Sequence, residues 1–293
     1  MINEYVIILF YKFTAIEKPQ LFRDEQKALC ESLKLKGRML IAEEGINGTF
    51  EGTRENIEQY QAELKKIPAF ADLVFKESRG TGTAFSKLQI KVRKEVVTLG
   101  VEGLDISKET AKELSSVELH EMYEKGEDFV VLDLRNDFEL QVGQFEKTID
   151  PKMRNFRDLP DLLANLESIK EKKIVAVCTG GIRCEKATCL LGKKGFNNLY
   201  QLKDGIHTYM QQFPGQHFKG TLFVFDNRMT TDVVDSLERD IIGRCEYCAV
   251  PCETFYSDDA VRPSKKVICC ETCFQDHQDR LRSCQPALLE MNR

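Results

Sequence analysis

Ile174-Val175-Ala176-Val177-Cys178-Thr179-Gly180-Gly181-Ile182-Arg183-Cys184 is the stretch from which the fold of this chain is read. The run Ile174–Val177 is apolar throughout and mostly branched at Cβ. It predicts a buried strand of the parallel type, which shows no alternation because both of its faces are covered. The strand ends on a cysteine, two glycines then let the backbone turn tightly, and a helix is predicted over Glu185–Lys194. Such a strand–loop–helix unit aims backbone N–H groups and the positive end of a helix at the sulfur. Those surroundings lower a thiol's pKa and hold the thiolate, the nucleophilic form. Cys178 is therefore read as catalytic, with Thr179, Gly180, Gly181 and Ile182 as the anion-holding loop and Arg183 as the stabilising charge. Cys184 is a resolving thiol for Cys178 or a helix-packing residue, with packing the favoured reading.

Outward from this loop the pattern stays α/β. Ser116 is expected to cap a helix carrying Leu119, His120 and Tyr123, and Phe129–Leu134 reads as a second buried strand. A helix is expected near Pro160–Ile169 and a last short strand at Leu199–Gln201, before the turn Asp204-Gly205-Ile206. Strand–helix alternation implies a parallel sheet with helices on both faces, and its ligands belong beyond the C-terminal strand ends, where Cys178 falls. Asp133, Arg135 and Glu139 follow the second strand. They are read as pocket-shaping, Asp133 and Arg135 as a buried ion pair and Glu139 as holding a loop or touching substrate.

The first hundred residues alternate differently. Tyr5–Phe13 is a β-rich run, and Pro19 opens a helix with Leu21, Phe22, Ala28, Leu29 and Leu33 on one face. Arg38–Ala42 and Ile46–Phe50 flank Glu43-Glu44-Gly45 as a hairpin, which either presents polar groups to RNA or is simply a tight turn. Thr53 caps a second helix through Lys66, and strands near Leu73–Lys76 and Leu88–Val92 complete a β-α-β-β-α-β order, the ferredoxin-like arrangement. Ser107–Glu113 reads as a linker or short cap. The whole chain is thus an α/β protein of three parts: a ferredoxin-like, acylphosphatase-like domain at 1–106, a parallel-sheet domain at 107–219 and a cysteine-rich region at 220–293.

The last part carries Leu222–Phe225 as a strand, a short polar helix around Val233–Arg239, and seven of the eleven cysteines. Cys245-x2-Cys248 and Cys270-x2-Cys273 have the spacing of a tetrathiolate site, since two-residue gaps let both sulfurs of a pair reach one tetrahedral ion. A structural zinc there would help so short a segment to fold. Cys252, Cys269 and Cys284 are further candidates.

The 293 residues carry 42 Lys and Arg against 47 Asp and Glu, which excludes a wholly basic nucleic-acid coat. Charge is uneven, however. Lys76, Arg79, Lys87, Lys91, Arg93 and Lys94 face the single acid Glu77 and can form a phosphate-binding surface, with Phe50 and Phe85 the aromatics available for base stacking. The N-terminal apolar run Val6–Phe10 is too short to span a bilayer, so no membrane partner is expected and the cysteines are placed in a reducing cytoplasm. The histidines (His120, His207, His217, His277) form no motif; His207, after the Asp204-Gly205-Ile206 turn, either approaches the pocket or is a packed or exposed histidine, and the latter is the favoured reading. No flavin or nicotinamide fingerprint and no two-histidine-one-carboxylate iron site is present.

Cys178-x4-Arg183 between strand and helix resembles the active loop of rhodanese domains. Asp133-Leu134-Arg135-Asn136-Asp137-Phe138-Glu139 and Asp204-Gly205-Ile206 are similar to two further rhodanese signatures. The loop is one residue shorter than the Cys-x5-Arg cradle of tyrosine phosphatases, so it suits a sulfur-sized group or small anion better than a phosphate. Ala42-Glu43-Glu44-Gly45-Ile46-Asn47-Gly48-Thr49, the string Cys178–Lys186 and the cysteine-rich tail together resemble the bacterial tRNA uridine hydroxylase family. That resemblance implies oxygen-dependent conversion of the wobble uridine, position 34, to 5-hydroxyuridine, with tRNA bound at its anticodon region, molecular oxygen as co-substrate and Cys178 as the reactive cysteine. One departure stands out: Tyr256–Ser264 lacks a further cysteine pair that the family pattern places there, so one metal or none is expected in the tail. The rhodanese loop alone would favour a sulfurtransferase working through a Cys178 persulfide. A non-catalytic RNA-binding protein is the other alternative. Protein partners are not indicated.

Overall fold

The computed structural model describes residues 4–233 and 240–284. The N-terminal unit runs β1 (Tyr5–Phe13), α1 (Pro19–Ser32), β2 (Lys36–Ala42), β3 (Gly45–Thr53), α2 (Arg54–Lys65), β4 (Lys76–Arg79) and β5 (Leu88–Val92). Its strand order is β4-β1-β3-β2-β5. The first four strands are mutually antiparallel and complete the ferredoxin-like order, while β5 adds an extra strand parallel to β2. Two expectations shift here. The strand sought at Leu73–Lys76 begins only at Lys76, because Leu73 is drawn into the core beneath the sheet. Leu21 is 53% exposed and leaves the apolar face of α1 to Phe22, Leu29 and Cys30. Thr53 caps α2 by accepting from the Asn56 N–H.

Strand alternation decides what this sheet does next. Val6, Ile8 and Phe10 of β1 point into the domain core with Met39, Ile41, Phe50 and Tyr60. Leu9 and Tyr11 therefore point to the opposite, open face. Phe50 and Phe85 are both buried, so neither is available to a base.

The central unit runs α3 (Ile106–Glu109), β6 (Lys112–Leu114), α4 (Ser116–Glu124), β7 (Val130–Asp133), α5 (Asp137–Leu140), β8 (Gly143–Phe145), β9 (Thr148–Ile149), α6 (Leu159–Leu162), β10 (Ile174–Val177), α7 (Ile182–Lys193), β11 (Leu199–Leu202) and α8 (Gly205–Gln212). A five-stranded sheet, ordered β6-β11-β10-β7-β9, is parallel throughout. Ile174 and Ala176 of β10 face one core, Val175 and Val177 the other, which is why this strand is apolar without alternation. Ser107–Glu113, expected to be a linker, instead supplies α3 and the edge strand β6. The cap of α4 is Ser115, not Ser116: Ser115 and Glu118 form a reciprocal capping box and Ser116 is the first helical residue. The segment Pro160–Ile169 is one α-turn followed by 3-10 helix.

The C-terminal unit contains β12 (Phe218–Gly220), β13 (Leu222–Phe223), β14 (Thr230–Thr231), β15 (Phe255–Asp258), β16 (Lys265–Ile268), α9 (Glu271–Asp276) and β17 (Leu281–Ser283). Strand β12 pairs with β8 of the central unit, and β13 pairs with β14, which limits the strand expected at Leu222–Phe225 to its first half. The helix expected around Val233–Arg239 lies, from residue 234 on, outside the described residues. Among the described residues no helix is long and apolar enough to cross a membrane.

Candidate active site

Strand β10 delivers Cys178 to the C-terminal edge of the parallel sheet, where its side chain is 1% exposed. Gly181 follows with φ +103°, a left-handed conformation that glycine adopts without strain. That turn brings the Gly181 N–H to 3.2 Å from the Cys178 Sγ. Helix α7 starts at Ile182, three residues before the predicted Glu185, because Gly181 acts as its N-cap. Arg183 thus lies in the first helical turn, and its backbone N–H also serves the sulfur. Burial works against ionisation of Cys178. The Cys184 thiol, the Arg183 charge and the backbone N–H groups of Arg183 and Gly181 outweigh it and bring the Cys178 pKa down to about 6. Burial and the neighbouring Cys178 charge push the Cys184 thiol well above its usual range. Cys184 is therefore a protonated donor beside a thiolate.

Arg183 does more holding than the sequence suggests. Its Nη1 and Nη2 form a fork to the Glu139 carboxylate at 2.7 and 3.1 Å, and Nη1 also donates to the Leu134 carbonyl. Glu139 is fully buried, accepts from the Asn136 N–H and lies 3.4 Å from the Thr179 hydroxyl. A guanidinium committed to these partners contributes charge to the sulfur but few free donors to an anion. Arg135 clasps Asp133 through Nε and Nη2, and Nη2 reaches the Gly143 carbonyl; both side chains have no exposure. This pair sits beneath the loop and ties β7 to β8.

The back of the loop rests on Gly205. A Cβ at Gly205 would lie 2.6 Å from the Cys178 carbonyl oxygen and 2.7 Å from both the Gly180 carbon and the Gly181 nitrogen. Residue 205 also has φ +72°. The Ile206 and His207 N–H groups then donate to the Cys178 and Thr179 carbonyls, both at 3.0 Å.

The N-terminal unit forms the front of the loop. A Cβ added at Gly180 would meet Leu9 at 2.9 Å, and one at Gly181 the Tyr11 hydroxyl at 2.7 Å. Buried Lys76 pairs with Asp204 at 2.9 Å and lies over the Tyr11 ring. Lys186 of α7, also buried, reaches Glu44 at 2.8 Å and Glu95 at 2.7 Å. Glu44 in turn accepts from the Val96 N–H, and Asn47 donates to the Val96 carbonyl. The hairpin string Glu43–Thr49 and the loop string Cys178–Lys186 are therefore two halves of one interface. No local signal in either string names the other as its partner. Only the outward apolar positions Leu9 and Tyr11 on β1 hint that this face is covered.

Beside the loop, the open face of the N-terminal sheet and residues 224–228 enclose a cleft of about 440 Å³. Thr179 and His207 open on it from the central unit, and Arg38, Asn47, Lys76, Lys91, Arg93 and Arg228 from its walls. Of the predicted basic stretch, Lys76, Lys91 and Arg93 thus reach the cleft, whereas Lys94 pairs with Glu102. His207 is 4% exposed, and burial with the Lys76 and Arg228 charges brings its pKa down to about 4, so it is neutral at pH 7.

In the tail, the four Sγ atoms of Cys245, Cys248, Cys270 and Cys273 lie within 4.8 Å of one another. Cys248 and Cys270 are 3.6 Å apart, close to the sulfur–sulfur separation across a tetrahedral ion bound at about 2.3 Å. The donor set fits a metal ion. Cys252 and Cys269 lie outside it: Cys269 is buried, and Cys252 donates to the Cys269 carbonyl. Cys284 instead contacts Lys266.

A parallel sheet whose strand ends on an activated cysteine, two glycines and a helix N-terminus defines a rhodanese-like domain, and residues 115–212 match the rhodanese-like domain family. Residues 5–96 match the UPF0176 acylphosphatase like domain and residues 219–287 the rhodanase C-terminal family. Three curated relatives extend the match to nearly the full chain, each carrying the name tRNA uridine(34) hydroxylase. The Onion yellows phytoplasma protein is 38% identical, over 94% of this chain and 90% of its own. That of Staphylococcus aureus is 39% identical, over 91% and 85%. That of Acholeplasma laidlawii is 39% identical, over 98% and 90%. The chain belongs to the tRNA uridine(34) hydroxylase family.

Proposed function

We propose that this chain is an oxygen-dependent tRNA hydroxylase that converts uridine 34 to 5-hydroxyuridine, acts in the cytoplasm and uses Cys178 as its reactive group. Family membership supports the reaction. The observation that carries the site is a thiolate held at a pKa of about 6 beside a basic cleft of about 440 Å³, the size of a single nucleotide. The wobble base of an anticodon loop is unpaired, so it can be splayed into such a cleft at little cost. Thr179 is the loop residue that opens on the cleft, and the base enters on that side, since Leu9 and Tyr11 cover the glycines. Addition of the Cys178 Sγ to C6 of uracil moves the ring's electron pair onto C5, the carbon that is hydroxylated. Dioxygen leaves one atom on C5, and its second atom departs as water with two electrons from an external reductant. Loss of the C5 proton then expels the thiolate and restores the ring.

In this reading Gly180, Gly181 and Ile182 shape the N–H cradle, Arg183 supplies its charge, Glu139 fixes Arg183 and Thr179, and the Asp133–Arg135 pair fixes the floor. Lys91, Arg93 and Arg38 meet phosphates of the anticodon region. The Cys245, Cys248, Cys270 and Cys273 thiolates hold one structural zinc, which folds the tail and takes no part in the reaction. Purified protein incubated with unmodified tRNA under air is expected to yield 5-hydroxyuridine by nucleoside mass spectrometry, and to yield none without oxygen or with Cys178→Ser. Product formed equally in the absence of oxygen would refute the hydroxylase reading.

The small, buried N–H cradle also favours a second reading, a sulfurtransferase carrying a persulfide on Cys178. Sulfur transfer from thiosulfate to a thiol, at a rate exceeding tRNA hydroxylation, would support that reading over the first.

A further inference from the structure

We propose that Phe225 is the stacking platform for the unpaired base received by the cleft, an inference that rests on tRNA being the substrate. Phe225 lies between β13 and β14 and is 41% exposed, while its aromatic neighbours Phe223 and Phe138 are buried and half-buried. Its backbone is anchored although part of its ring is exposed. Arg38 of β2 donates to the Phe225 carbonyl. Arg228 forms a fork to Asp226 through Nε and Nη2 at 2.9 and 2.7 Å, and its Nη1 reaches the Arg79 carbonyl at 2.9 Å. Asn227 donates to the Thr83 carbonyl through its side chain and to the Ala84 carbonyl through its backbone. The C-terminal segment is thus pinned to the N-terminal sheet over residues 225–228, so little conformational freedom is lost when a ligand stacks there.

Chemistry selects the occupant. The Arg38 and Arg183 guanidinium groups lie over the ring, their carbons 5.6 and 5.9 Å from its centroid, and leave the exposed part of the ring to a ligand. Beyond the ion pairs Lys76–Asp204 and Arg228–Asp226, the cleft walls carry Arg38, Lys91 and Arg93. An apolar aromatic face inside a strongly cationic cleft is the pairing that single-stranded nucleic acid recognises, base on ring and phosphates on the basic wall. An apolar peptide would match the ring but not the charge. The aromatic partner for the base thus comes from the C-terminal segment, not from the N-terminal domain whose basic stretch the sequence singles out.

The test measures binding of an anticodon stem-loop carrying either uridine or an abasic nucleotide at position 34, by fluorescence anisotropy. Stacking on an aromatic side chain amounts to about 1–3 kcal/mol per base, so wild-type protein should prefer uridine over the abasic site by about fivefold to a hundredfold. Phe225→Ala should bind both RNAs alike, and Phe225→Tyr should restore the preference. Should Phe225→Ala fail to fold, Phe225→Leu keeps an apolar side chain but no aromatic face and should also lose the preference. Full preference retained by Phe225→Ala or Phe225→Leu overturns the inference, as does wild-type protein that binds both RNAs equally. If wild-type protein makes 5-hydroxyuridine yet those variants keep the preference, only the platform is refuted. If wild-type protein neither binds the stem-loop nor makes 5-hydroxyuridine, the tRNA reading falls with it.

Discussion

Replacing Cys184 separates three roles for that residue, because each predicts a different pH dependence. Its thiol donates to the Cys178 sulfur and is the foremost of the groups that draw Cys178 down to about 6 against burial. A hydrogen bond to a charged acceptor contributes about 1.5–3 kcal/mol, and a thiol is a weak donor, so the lower end applies. At 1.36 kcal/mol per unit, Cys184→Ala should raise the Cys178 pKa by about one unit, to about 7. The thiolate fraction at pH 7 would then fall from about nine-tenths to about half, and hydroxylation at pH 7 should fall by about twofold and recover as the pH is raised. The assay is the thiolate ultraviolet absorbance against pH, taken as the difference from the Cys178→Ser counterpart, alongside kcat/KM for tRNA. Cys184→Ser keeps a hydroxyl donor and should hold the inflection near or below its wild-type position. A resolving thiol would behave otherwise: both variants would lose turnover at every pH. An inflection unmoved in Cys184→Ala, or serine no better than alanine, refutes the donor role. The folded Cys178 pKa lies below the unfolded thiol value near 9, so the folded state binds fewer protons between about pH 6 and 9. Stability from this group is complete above about pH 9 and is lost as the pH falls through about 6, an effect that urea unfolding should show in wild type and not in Cys178→Ser.

Gly205→Ala places a Cβ against three atoms of the loop backbone in a left-handed conformation. The conformation alone costs about 1–2 kcal/mol, and kcat should fall by more than tRNA affinity because the loop, not the cleft, is displaced. Lys186→Met leaves Glu44 and Glu95 without their shared cation. Stripping the partner from a buried pair costs about 3–5 kcal/mol, less where a carboxylate is partly wet, and iodoacetamide should label Cys178 faster as the Leu9 and Tyr11 cover loosens. An unchanged labelling rate would remove the interface role assigned to Lys186. Chelation under reducing conditions should release one zinc per chain and unfold the strands β15–β17, read as lost hydrogen-exchange protection, while the central sheet stays protected. Release of no metal would limit the four thiols to packing.

Much of the fold was legible because its signals are local. The apolar run Ile174–Val177 needs cover on both faces, and cores do lie on both sides of it. Thr53 caps α2 as its position before a helical pattern implies. Errors fell where the governing contact is distant or the competing signal sits next door. Ser115 and Ser116 are equivalent in sequence, and only the reciprocal bond with Glu118 chooses between them. Lys112–Leu114 is too short and polar to read as a strand, yet β11 offers it an edge to pair with. Arg183 reads as an anion binder until Glu139, brought over from α5, takes up its fork.

By itself the sequence determined that a strand ends on Cys178, that two glycines and a helix start crowd its sulfur, and that two Cys-x2-Cys pairs share one spacing. All of these depend on neighbours within a few residues, where covalent geometry limits the outcome. Only the tertiary structure decided what surrounds them: the burial of the thiolate under Leu9 and Tyr11, the Lys186 anchor to Glu44 and Glu95, and the meeting of a basic sheet face with Phe225. Those contacts join residues separated by 91 positions or more. No local propensity encodes such a meeting, because its free energy exists only once two separate units have packed together.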